Sequence, residues 1–456
     1  MVDKSVFLVS LGCAKNTVDS DGMAQLLTKA GYRLVETPQD AGVLLVNTCG
    51  FIALAREESY EVLADLAENK RRNQLLIAAG CLTQRFGREV AQRISGIDGI
   101  LGTRRWMDIV DVVGKLRLSG LPKPLIHLPE TPHVGRDERG AIGAAIQGGS
   151  AYLKISDGCR HPCAFCAIPL IKGSAVSRPM PILLNEALFL QERGIKEIVL
   201  IAQDTTGYGY DLGMQDGLAE LLEGLVEAAP KISWWRTLYA YPGLVSDRLV
   251  EVMANHPQIL PYLDLPLQHA HPETLKRMHR PSNIDSVRRT LEKVRKALPG
   301  LALRTTFIVG YPGETEAEFQ ALLDFIREIR FDRLGVFLYS FERGVPAESL
   351  GDPIPAEVKE QRYQQVMEMQ QSISLEINQS FIGKTLQVLI EGQGNVEDEI
   401  SGNENNERIS LGRSYRDAPE IDGLVLIEGE APLGEIVSVR ITGAMTYDLS
   451  GEIASR

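Results

Sequence analysis

The stretch DGCRHPCAFCAIP, residues 157–169, holds three of the six cysteines of this 456-residue chain in the spacing Cys-x3-Cys-x2-Cys. A [4Fe–4S] cube usually binds four thiolates, one on each iron, so Cys159, Cys163 and Cys166 leave one iron open to another ligand. The alternatives are a purely structural cluster and a zinc site. Zinc needs a fourth protein ligand, and the only nearby candidate, His161, lies between two of the cysteines and would require a tight loop. The motif therefore predicts an iron–sulfur cluster with an open iron.

Six apolar runs alternate with helical patterns in this part of the chain, one before the motif and five after it. They read AYLKIS, EIVLIAQD, WRTLYAYP, YLDLPLQ, LRTTFIVG and LGVFLYS. Strands joined by helices in this rhythm predict a complete or partial α/β barrel over residues 150–377, whose last part is one long connecting helix. The cysteine motif follows the first run, at the C-terminal edge of the strands, where barrel enzymes place their sites.

Two further domains flank the predicted barrel. Residues 1–120 alternate the runs SVFLVS, GVLLVN and LLIAAG with helical patterns, which indicates a small parallel α/β sheet. Residues 121–149 begin with the proline-rich LPKPLIHLPETP, which cannot continue a helix, so we predict a linker. Residues 378–456 consist of short apolar runs and glycine-rich turns, typical of a small antiparallel β-barrel. The fold class is therefore α/β multidomain.

The other three cysteines follow the three predicted strands of the first domain. Cys13 comes after SVFLVSLG, Cys49 after GVLLVNT and Cys81 after LLIAAG. Parallel strands place their C-terminal ends at one edge of a sheet, so these thiols can converge on a common ligand. The alternative is three independent buried cysteines, since free cysteine is common in protein cores. Three cysteines at equivalent strand ends favour a second iron–sulfur site with three thiolate ligands.

Composition limits the remaining possibilities. The sequence contains no run of 18 or more apolar residues, so we expect no transmembrane helix. The N-terminal MVDKSVFLVS fits a first strand better than a signal peptide. Six cysteines in so long a chain do not form a disulfide scaffold, and we expect a cytoplasmic protein. The net charge of −12 makes nucleic acid an improbable direct substrate, because phosphate binding needs clustered Lys and Arg.

The barrel motif resembles the radical S-adenosylmethionine (SAM) superfamily, which implies a partial (β/α)6 barrel with SAM on the open iron. The resemblance implies reductive cleavage of SAM to a 5′-deoxyadenosyl radical, with the protein orienting the cofactor. Phe165, between the last two cysteines, matches the position of a residue that packs against the adenine; ordinary core packing is the alternative. In TFIVGYPGET, Gly310 and Gly313 permit close approach of a ligand to the backbone, although glycine after a strand often marks only a turn.

The whole chain resembles the radical SAM methylthiotransferase family, whose last domain is of the TRAM type. The resemblance rests on SLGCAKNTVDSDGM, NTCGFI, AAGC, DGCRHPCAFCAIP, VSRP, PYLDLPLQHAHPETLKRM and FIVGYPGETEAEF. It implies two [4Fe–4S] clusters. The first holds a sulfur species that one SAM methylates. A second SAM, on the other cluster, yields the radical that abstracts a substrate hydrogen before the methylthio group is transferred. No catalytic side chain beyond the cluster ligands is implied.

Two branches of this family differ in substrate: one modifies an adenosine of transfer RNA, and the RimO-like branch modifies the β-carbon of an aspartate in small-subunit ribosomal protein twelve. SLGCAKNTVDS, AQDTTGYGYD and QQSIS resemble the second branch, whereas LGVFLYS lacks the Cys and Lys expected there. An external electron donor and a sulfur donor are implied in either case. A third possibility is a non-enzymatic iron–sulfur redox sensor that docks on the ribosome.

The charge of the last domain favours the protein substrate. Residues 378–456 contain 14 Asp and Glu against 6 Lys and Arg, whereas a barrel that binds transfer RNA should be basic. An acidic surface suits a basic ribosomal protein, although it could also serve only solubility. The candidate partner-binding residues, predicted to cluster on an exposed turn, are Glu391, Glu397, Asp398, Glu399, Glu404 and Glu407.

Overall fold

The computed structural model describes residues 3–118, 124–135, 137–396 and 407–454. Its first domain is a six-stranded parallel sheet in the order β2-β1-β3-β4-β5-β6. The elements in chain order are β1 (Ser5–Ser10), α1 (Ala14–Lys29), β2 (Arg33–Leu34), β3 (Val43–Thr48), α2 (Ala53–Asn69), β4 (Leu75–Gly80), α3 (Cys81–Arg93), β5 (Gly99–Gly102), α4 (Ile109–Leu116) and β6 (Leu125–His127).

The three apolar runs of this domain form β1, β3 and β4. Every residue of β3 and β4 is buried, because two separate apolar clusters cover the two faces of the sheet. Strands buried on both faces read as continuous apolar runs, which is why the sequence revealed them.

The barrel domain follows, with an antiparallel edge strand and a long final helix. Its elements are β7 (Ala144–Gln147), β8 (Ser150–Lys154), β9 (Ser156–Asp157), α5 (Ile168–Ile171), β10 (Val176–Ser177), α6 (Met180–Glu192), β11 (Glu197–Ile201), α7 (Gly217–Ala228), β12 (Trp234–Thr237), α8 (Asp247–Asn255), β13 (Tyr262–Asp264), α9 (Pro272–Arg277), α10 (Ile284–Ala297), β14 (Ala302–Val309), α11 (Glu316–Ile329), β15 (Arg333–Leu338) and α12 (Ala356–Gln379).

Six of these strands form the wall of an open barrel. β8, β11 and β12 pair in parallel, as do β13, β14 and β15, and a parallel backbone bridge between Trp235 and Ile259 connects the two groups. Each corresponds to one of the six apolar runs. Alternate residues of these strands pack outward against the helices or into the barrel; Leu153 is in the outer cluster and Tyr152 in an inner one.

The last domain is a closed five-stranded barrel in the order β16-β17-β18-β20-β19. The strands are β16 (Thr385–Val396), β17 (Glu407–Ser414), β18 (Val425–Glu428), β19 (Ile436–Ala444) and β20 (Leu449–Ile453). All its pairs are antiparallel except β18 with β20, which is parallel. The small barrel was predicted, but the parallel pair was not.

The segment predicted as a linker is partly built into the two sheets that it connects. β6 pairs with β5 at the edge of the first sheet, and β7 pairs with β8 at the edge of the barrel sheet. Edge positions tolerate short strands with flanking prolines, because only one side of the strand needs hydrogen-bond donors. Among the residues described, no helix is long and apolar enough to cross a lipid bilayer.

Candidate iron–sulfur site

The first cysteine triad lies at the C-terminal edge of three adjacent strands. Cys13 is the N-cap residue of α1, Cys49 directly follows β3, and Cys81 is the first residue of α3. β3 pairs with both β1 and β4, so the three loops emerge side by side. They are in close contact: a Cβ atom on Gly12 would lie only 2.8 Å from the Cβ of Cys49. The structure thus brings together the three cysteines that the sequence placed at strand ends.

Asn16 connects these loops, and the sequence analysis missed it. Its Nδ2 donates to the carbonyls of Leu11 and Thr48, at 2.9 and 3.1 Å, and its Oδ1 accepts from the Cys81 Sγ at 3.6 Å. One buried amide therefore contacts the C-terminal ends of all three strands or the residues that directly follow them. The only sequence signal was a polar residue in the first turn of an otherwise ordinary helix.

The two buried thiols of this triad resist ionisation in the absence of metal. Burial raises the pKa of Cys49 and, more strongly, that of Cys81, and negative charge on the neighbouring thiols adds to the effect. Cys13 is exposed. Metal binding at such a site must displace thiol protons, so assembly is expected to be coupled to proton release.

The second triad lies in the loop after β9, at the mouth of the barrel. The backbone holds this loop in place: the Cys159 N–H donates to the Gly173 carbonyl at 3.1 Å, and the Ala164 N–H donates to the Met278 carbonyl at 2.9 Å. Burial raises the pKa of Cys159 to about 11 and that of Cys166 to about 12.

A cationic and aromatic stack borders Cys163. Arg280 Nη1 donates to the Cys163 Sγ at 3.5 Å, and its guanidinium lies 4.6 Å from the centre of the Tyr241 ring. The other face of Tyr241 stacks on His161, with ring centres 3.4 Å apart and planes 2° from parallel. His161 Nε2 lies 2.7 Å from a carboxylate oxygen of Asp204. These contacts occupy the histidine that was the candidate fourth zinc ligand, and the other three residues, Arg280, Tyr241 and Asp204, were not singled out from the sequence.

Both triads fit an iron–sulfur cluster better than a single ion. All six thiols are free, and each triad offers sulfur donors alone, the set that suits iron–sulfur clusters. Within the described part of the chain, no three His, Cys, Asp or Glu residues are gathered closely enough to hold one metal ion. A cube binds one thiolate per iron and so spaces its ligands more widely than a single ion does.

The residues predicted to bind SAM have structural contacts of their own. Phe165 is half-buried in an apolar cluster beside the second triad. Gly310 has a φ of 73°, and a Cβ there would lie 2.4 Å from Cγ of Lys359 on α12. Gly313 has a φ of 80°, and its carbonyl accepts from Arg277 at 3.0 Å. Backbone conformation and packing account for both glycines, and their role toward SAM remains a prediction.

The two triads face each other across one domain interface. Cys81 belongs to the same apolar cluster as Ala164, Ala167 and Phe165 from the loop of the second triad. Beside this cluster, Lys172 approaches Asp19 of α1 at 2.8 Å and Asp157 of β9 at 3.1 Å. Lys154 completes the group, pairing with Asp19 and, at 2.7 Å, with Asp157. A buried group of two lysines and two aspartates therefore joins the first domain to the barrel.

The candidate partner-binding acids are only partly within the described residues. Glu391 lies within β16 rather than on a turn, and its carboxylate accepts from Nε and Nη2 of Arg413 at 2.9 and 2.6 Å. It is therefore part of an ion-pair network within a strand, which corrects the prediction that it lies on an exposed turn. Glu407 is the first residue of β17. The remaining four, Glu397, Asp398, Glu399 and Glu404, lie outside the described residues.

Several charged side chains of the last domain pair with the barrel domain. Asp417 pairs with Arg333, and Asp422 pairs with Arg304 at 3.3 Å. The last domain also supplies a cation to the barrel: Arg413 of β17 pairs with Glu197 of β11 at 2.6 Å. These pairs take up charges of both signs and join the last domain to the barrel domain.

Three family models match the chain, in the order that the three domains predict. They are "Uncharacterized protein family UPF0004" at residues 5–102, "Radical SAM superfamily" at residues 153–326 and "TRAM domain" at residues 382–454. The predicted fold class, with a parallel α/β domain, a partial radical SAM barrel and a small β-barrel, is confirmed.

Relatives that match nearly the whole chain belong to one branch of the methylthiotransferases. A protein of Roseiflexus sp. (strain RS-1) named ribosomal protein uS12 methylthiotransferase RimO is 48% identical over 462 residues, which cover 98% of this chain and 96% of the relative. The protein of the same name from Chloroflexus aurantiacus is 48% identical over 459 residues, which cover 98% and 99%. Among solved structures, the radical S-adenosylmethionine methyltransferase TsrM from Kitasatospora setae, with cobalamin and a [4Fe-4S] cluster bound, has a TM-score of 0.55 at 13% identity and covers 84% of this chain and 80% of its own. That likeness is one of fold.

Proposed function

The chain belongs to the ribosomal protein uS12 methylthiotransferase family, and from this premise we propose that it adds a methylthio group to the β-carbon of an aspartate in uS12. The observation that carries the assignment is the pair of all-cysteine triads that face each other across one interface. Each has three thiolates for a four-iron cube, so each leaves one iron open. A reaction that joins a sulfur group to an unactivated carbon requires two such positions near each other.

We assign one triad to each task. Cys13, Cys49 and Cys81 hold the cluster that carries the sulfur species to be methylated and transferred. Cys159, Cys163 and Cys166 hold the cluster that binds SAM, and this group supplies the one-electron chemistry that removes a hydrogen from carbon. We propose residues 1–120, 121–149, 150–377 and 378–456 as the functional units, with β6 and β7 of the second segment built into the sheets on either side.

Side chains of the barrel hold the second triad in place. Arg280 donates to the Cys163 Sγ and stacks on Tyr241, so it places a positive charge against a ligand that must be a thiolate. Asp204 orients His161, whose ring covers the opposite face of Tyr241. Phe165, Gly310 and Gly313 are the proposed contacts of SAM.

The proposed partners follow from the reaction and from the substrate. Electrons and sulfur are consumed in each turnover, so an external electron donor and a sulfur donor must reach the chain. Modification of a ribosomal protein places the reaction in the cytoplasm. The acidic residues that join β16 to β17 are proposed to meet the basic surface of uS12.

The test is anaerobic reconstitution with iron, sulfide, SAM and a reductant, followed by mass spectrometry of two substrates, purified uS12 and transfer RNA. The expected result is a methylthio group on uS12 alone, located to one aspartate by fragmentation. Modification of the transfer RNA instead would reassign the chain to the other branch of the family. Absence of 5′-deoxyadenosine under reducing conditions would favour a redox sensor.

A further inference from the structure

Lys15 differs from the other buried lysines of the described residues. Four lysines are at least nine-tenths buried, and three of them pair with carboxylates: Lys154 and Lys172 with Asp19 and Asp157, and Lys359 with Asp352. Lys15, with an exposed fraction of 9%, has no carboxylate within ion-pair distance among the residues that the structure describes. Its Nζ lies over the ring of Tyr239, 3.4 Å from the ring centre.

The aromatic contact does not satisfy the lysine. An ammonium carries three N–H donors and no acceptor, and a ring face attracts the charge without accepting three hydrogen bonds. Burying an ammonium is costly unless nearby groups offset the loss of water. Tyr239, Cys13 and Asp264 do so here, but none of them is a carboxylate in ion-pair contact with Nζ. The nearest candidate, Asp264, is occupied: one oxygen accepts from Arg304 and the other from the Tyr239 N–H, both at 2.9 Å.

Lys15 lies between the two cysteine triads. It is two residues after Cys13 of the first triad. Its aromatic partner, Tyr239, is two residues before Tyr241, which stacks against Arg280 and His161 beside Cys163 of the second triad. A substrate side chain that is to be reached from both triads must enter between them, which is where this unpaired ammonium lies.

The backbone at Tyr239 adds an independent observation. Tyr239 has a φ of 65°, a left-handed conformation that is rare for a bulky residue. Three hydrogen bonds hold it there: its N–H donates to Asp264, and its carbonyl accepts from the N–H and the hydroxyl of Thr205, at 3.1 and 3.3 Å. Such strain persists where surrounding structure enforces it, and it concentrates at ligand sites. Here it places the ring under the lysine.

We propose that Lys15 binds the side-chain carboxylate of the substrate aspartate and thereby selects the residue that is modified. This inference rests on the proposed function, since it presupposes an aspartate substrate. A carboxylate supplies the direct ion-pair contact that the buried ammonium lacks, and a neutral asparagine in the same position does not. Lys15 is thus a specificity-determining residue rather than a cluster ligand.

The test compares the binding of two probes to the reconstituted full chain. The probes are purified uS12 and uS12 in which the target aspartate, identified by mass spectrometry, is changed to asparagine. The wild-type chain is expected to bind the aspartate form about tenfold or more tightly than the asparagine form. The variant Lys15→Met should bind both forms with affinities within about twofold of each other. The control is Lys115→Met, which removes one exposed positive charge from α4 of the same domain and should behave as wild type.

Further measurements separate the alternatives. Iron content and the electron paramagnetic resonance spectrum of Lys15→Met should match wild type; loss of either would assign Lys15 to assembly of the first cluster and overturn the proposal. If Lys15→Met also bound SAM about tenfold more weakly than wild type, the lysine would be assigned to the SAM carboxylate, and the proposal would be overturned. Equal weakening of both uS12 forms would indicate a merely structural role. Failure of the wild-type chain to bind or modify uS12 at all would instead contradict the proposed function.

Discussion

Asp19 and Lys172, separated by 153 positions in the chain, form an ion pair of 2.8 Å in which each side chain is only 1% exposed. Asp19 belongs to α1, whose N-cap residue is Cys13, and Lys172 follows the helix that leads away from Cys166. The pair therefore connects the helix that follows Cys13 of the first triad to the segment that follows the second triad. A rigid link of this kind sets the separation between the triads.

Asp19→Asn should weaken this link. The substitution leaves Lys154 and Lys172 to share Asp157 alone, and loss of one partner from a buried ion pair typically costs about 3–5 kcal/mol. We expect a comparable loss in the free energy of unfolding, together with faster proteolysis between the first domain and the barrel. Denaturant titration and limited proteolysis measure these effects. The control Glu61→Gln, on the exposed face of α2, should change stability by less than about 0.5 kcal/mol; equal stability of both variants would contradict the structural role of Asp19.

The cysteine triads should contribute equally to iron content. Two cubes imply about eight irons per reconstituted chain. Changing Cys159, Cys163 and Cys166 to Ala should halve the iron and abolish formation of 5′-deoxyadenosine. The corresponding triple substitution of Cys13, Cys49 and Cys81 should halve the iron but preserve that formation. Full iron content in the second variant would show that the first triad does not bind a cluster.

His161→Ala should retain its iron, because the histidine ring is held by Asp204 and Tyr241 rather than being available as a ligand. Iron and zinc analysis of the purified variant and of wild type measures this directly. Loss of one equivalent of zinc together with the histidine would support the zinc alternative for the loop of residues 157–169.

Acid should loosen the contact between the last domain and the barrel through Glu197. Burial by itself would raise the pKa of this carboxyl, but Arg413 and Arg236 outweigh it and lower the pKa to about 2 from 4.5. Because its pKa is lower in the folded state, the ionised carboxylate stabilises that state by about 3 kcal/mol. This contribution is fully present above pH 4.5 and is lost as the pH falls toward 2. Glu197→Gln should therefore be less stable at neutral pH and show a shallower loss of stability between pH 4.5 and 2. Parallel unfolding curves for the two proteins across this range would contradict the assignment.

The acidic segment between β16 and β17 should govern the rate of capture of uS12. Neutralising Glu397, Asp398, Glu399 and Glu404 should slow association about tenfold at low salt and much less at high salt, since long-range attraction is screened. Glu391 is left intact because its ion pair with Arg413 serves the fold. Stopped-flow association across a salt series is the measurement.

The control for this experiment neutralises the same number of charges elsewhere. Four exposed acids on the barrel helices are suitable, namely Glu220, Glu227, Glu292 and Glu357. An equal slowing in the control would mean that net charge, rather than this segment, attracts the ribosomal protein. Tighter binding of transfer RNA than of uS12 at every salt concentration would contradict the choice of branch.

The sequence by itself determined three strands of the first sheet, the six strands of the barrel wall, the order of the domains and the position of each cysteine relative to its strand. This was possible because strands buried on both faces appear as uninterrupted apolar runs, and because parallel strands necessarily end at one edge. Cys13, Cys49 and Cys81 could be grouped by that rule alone. The spacing of Cys159, Cys163 and Cys166 is local, so it needed no knowledge of packing.

Only the tertiary structure decided how charges are shared between domains. Asp19 meets Lys172, Glu391 meets Arg413, and Arg413 meets Glu197, and in each case the partners belong to different strands or domains. Local periodicity carries no information about such pairs, because they depend on how finished domains dock. For the same reason, Lys15 looks like an ordinary helical lysine in the sequence. Its lack of a partner becomes visible only when the surrounding carboxylates are found to be engaged elsewhere.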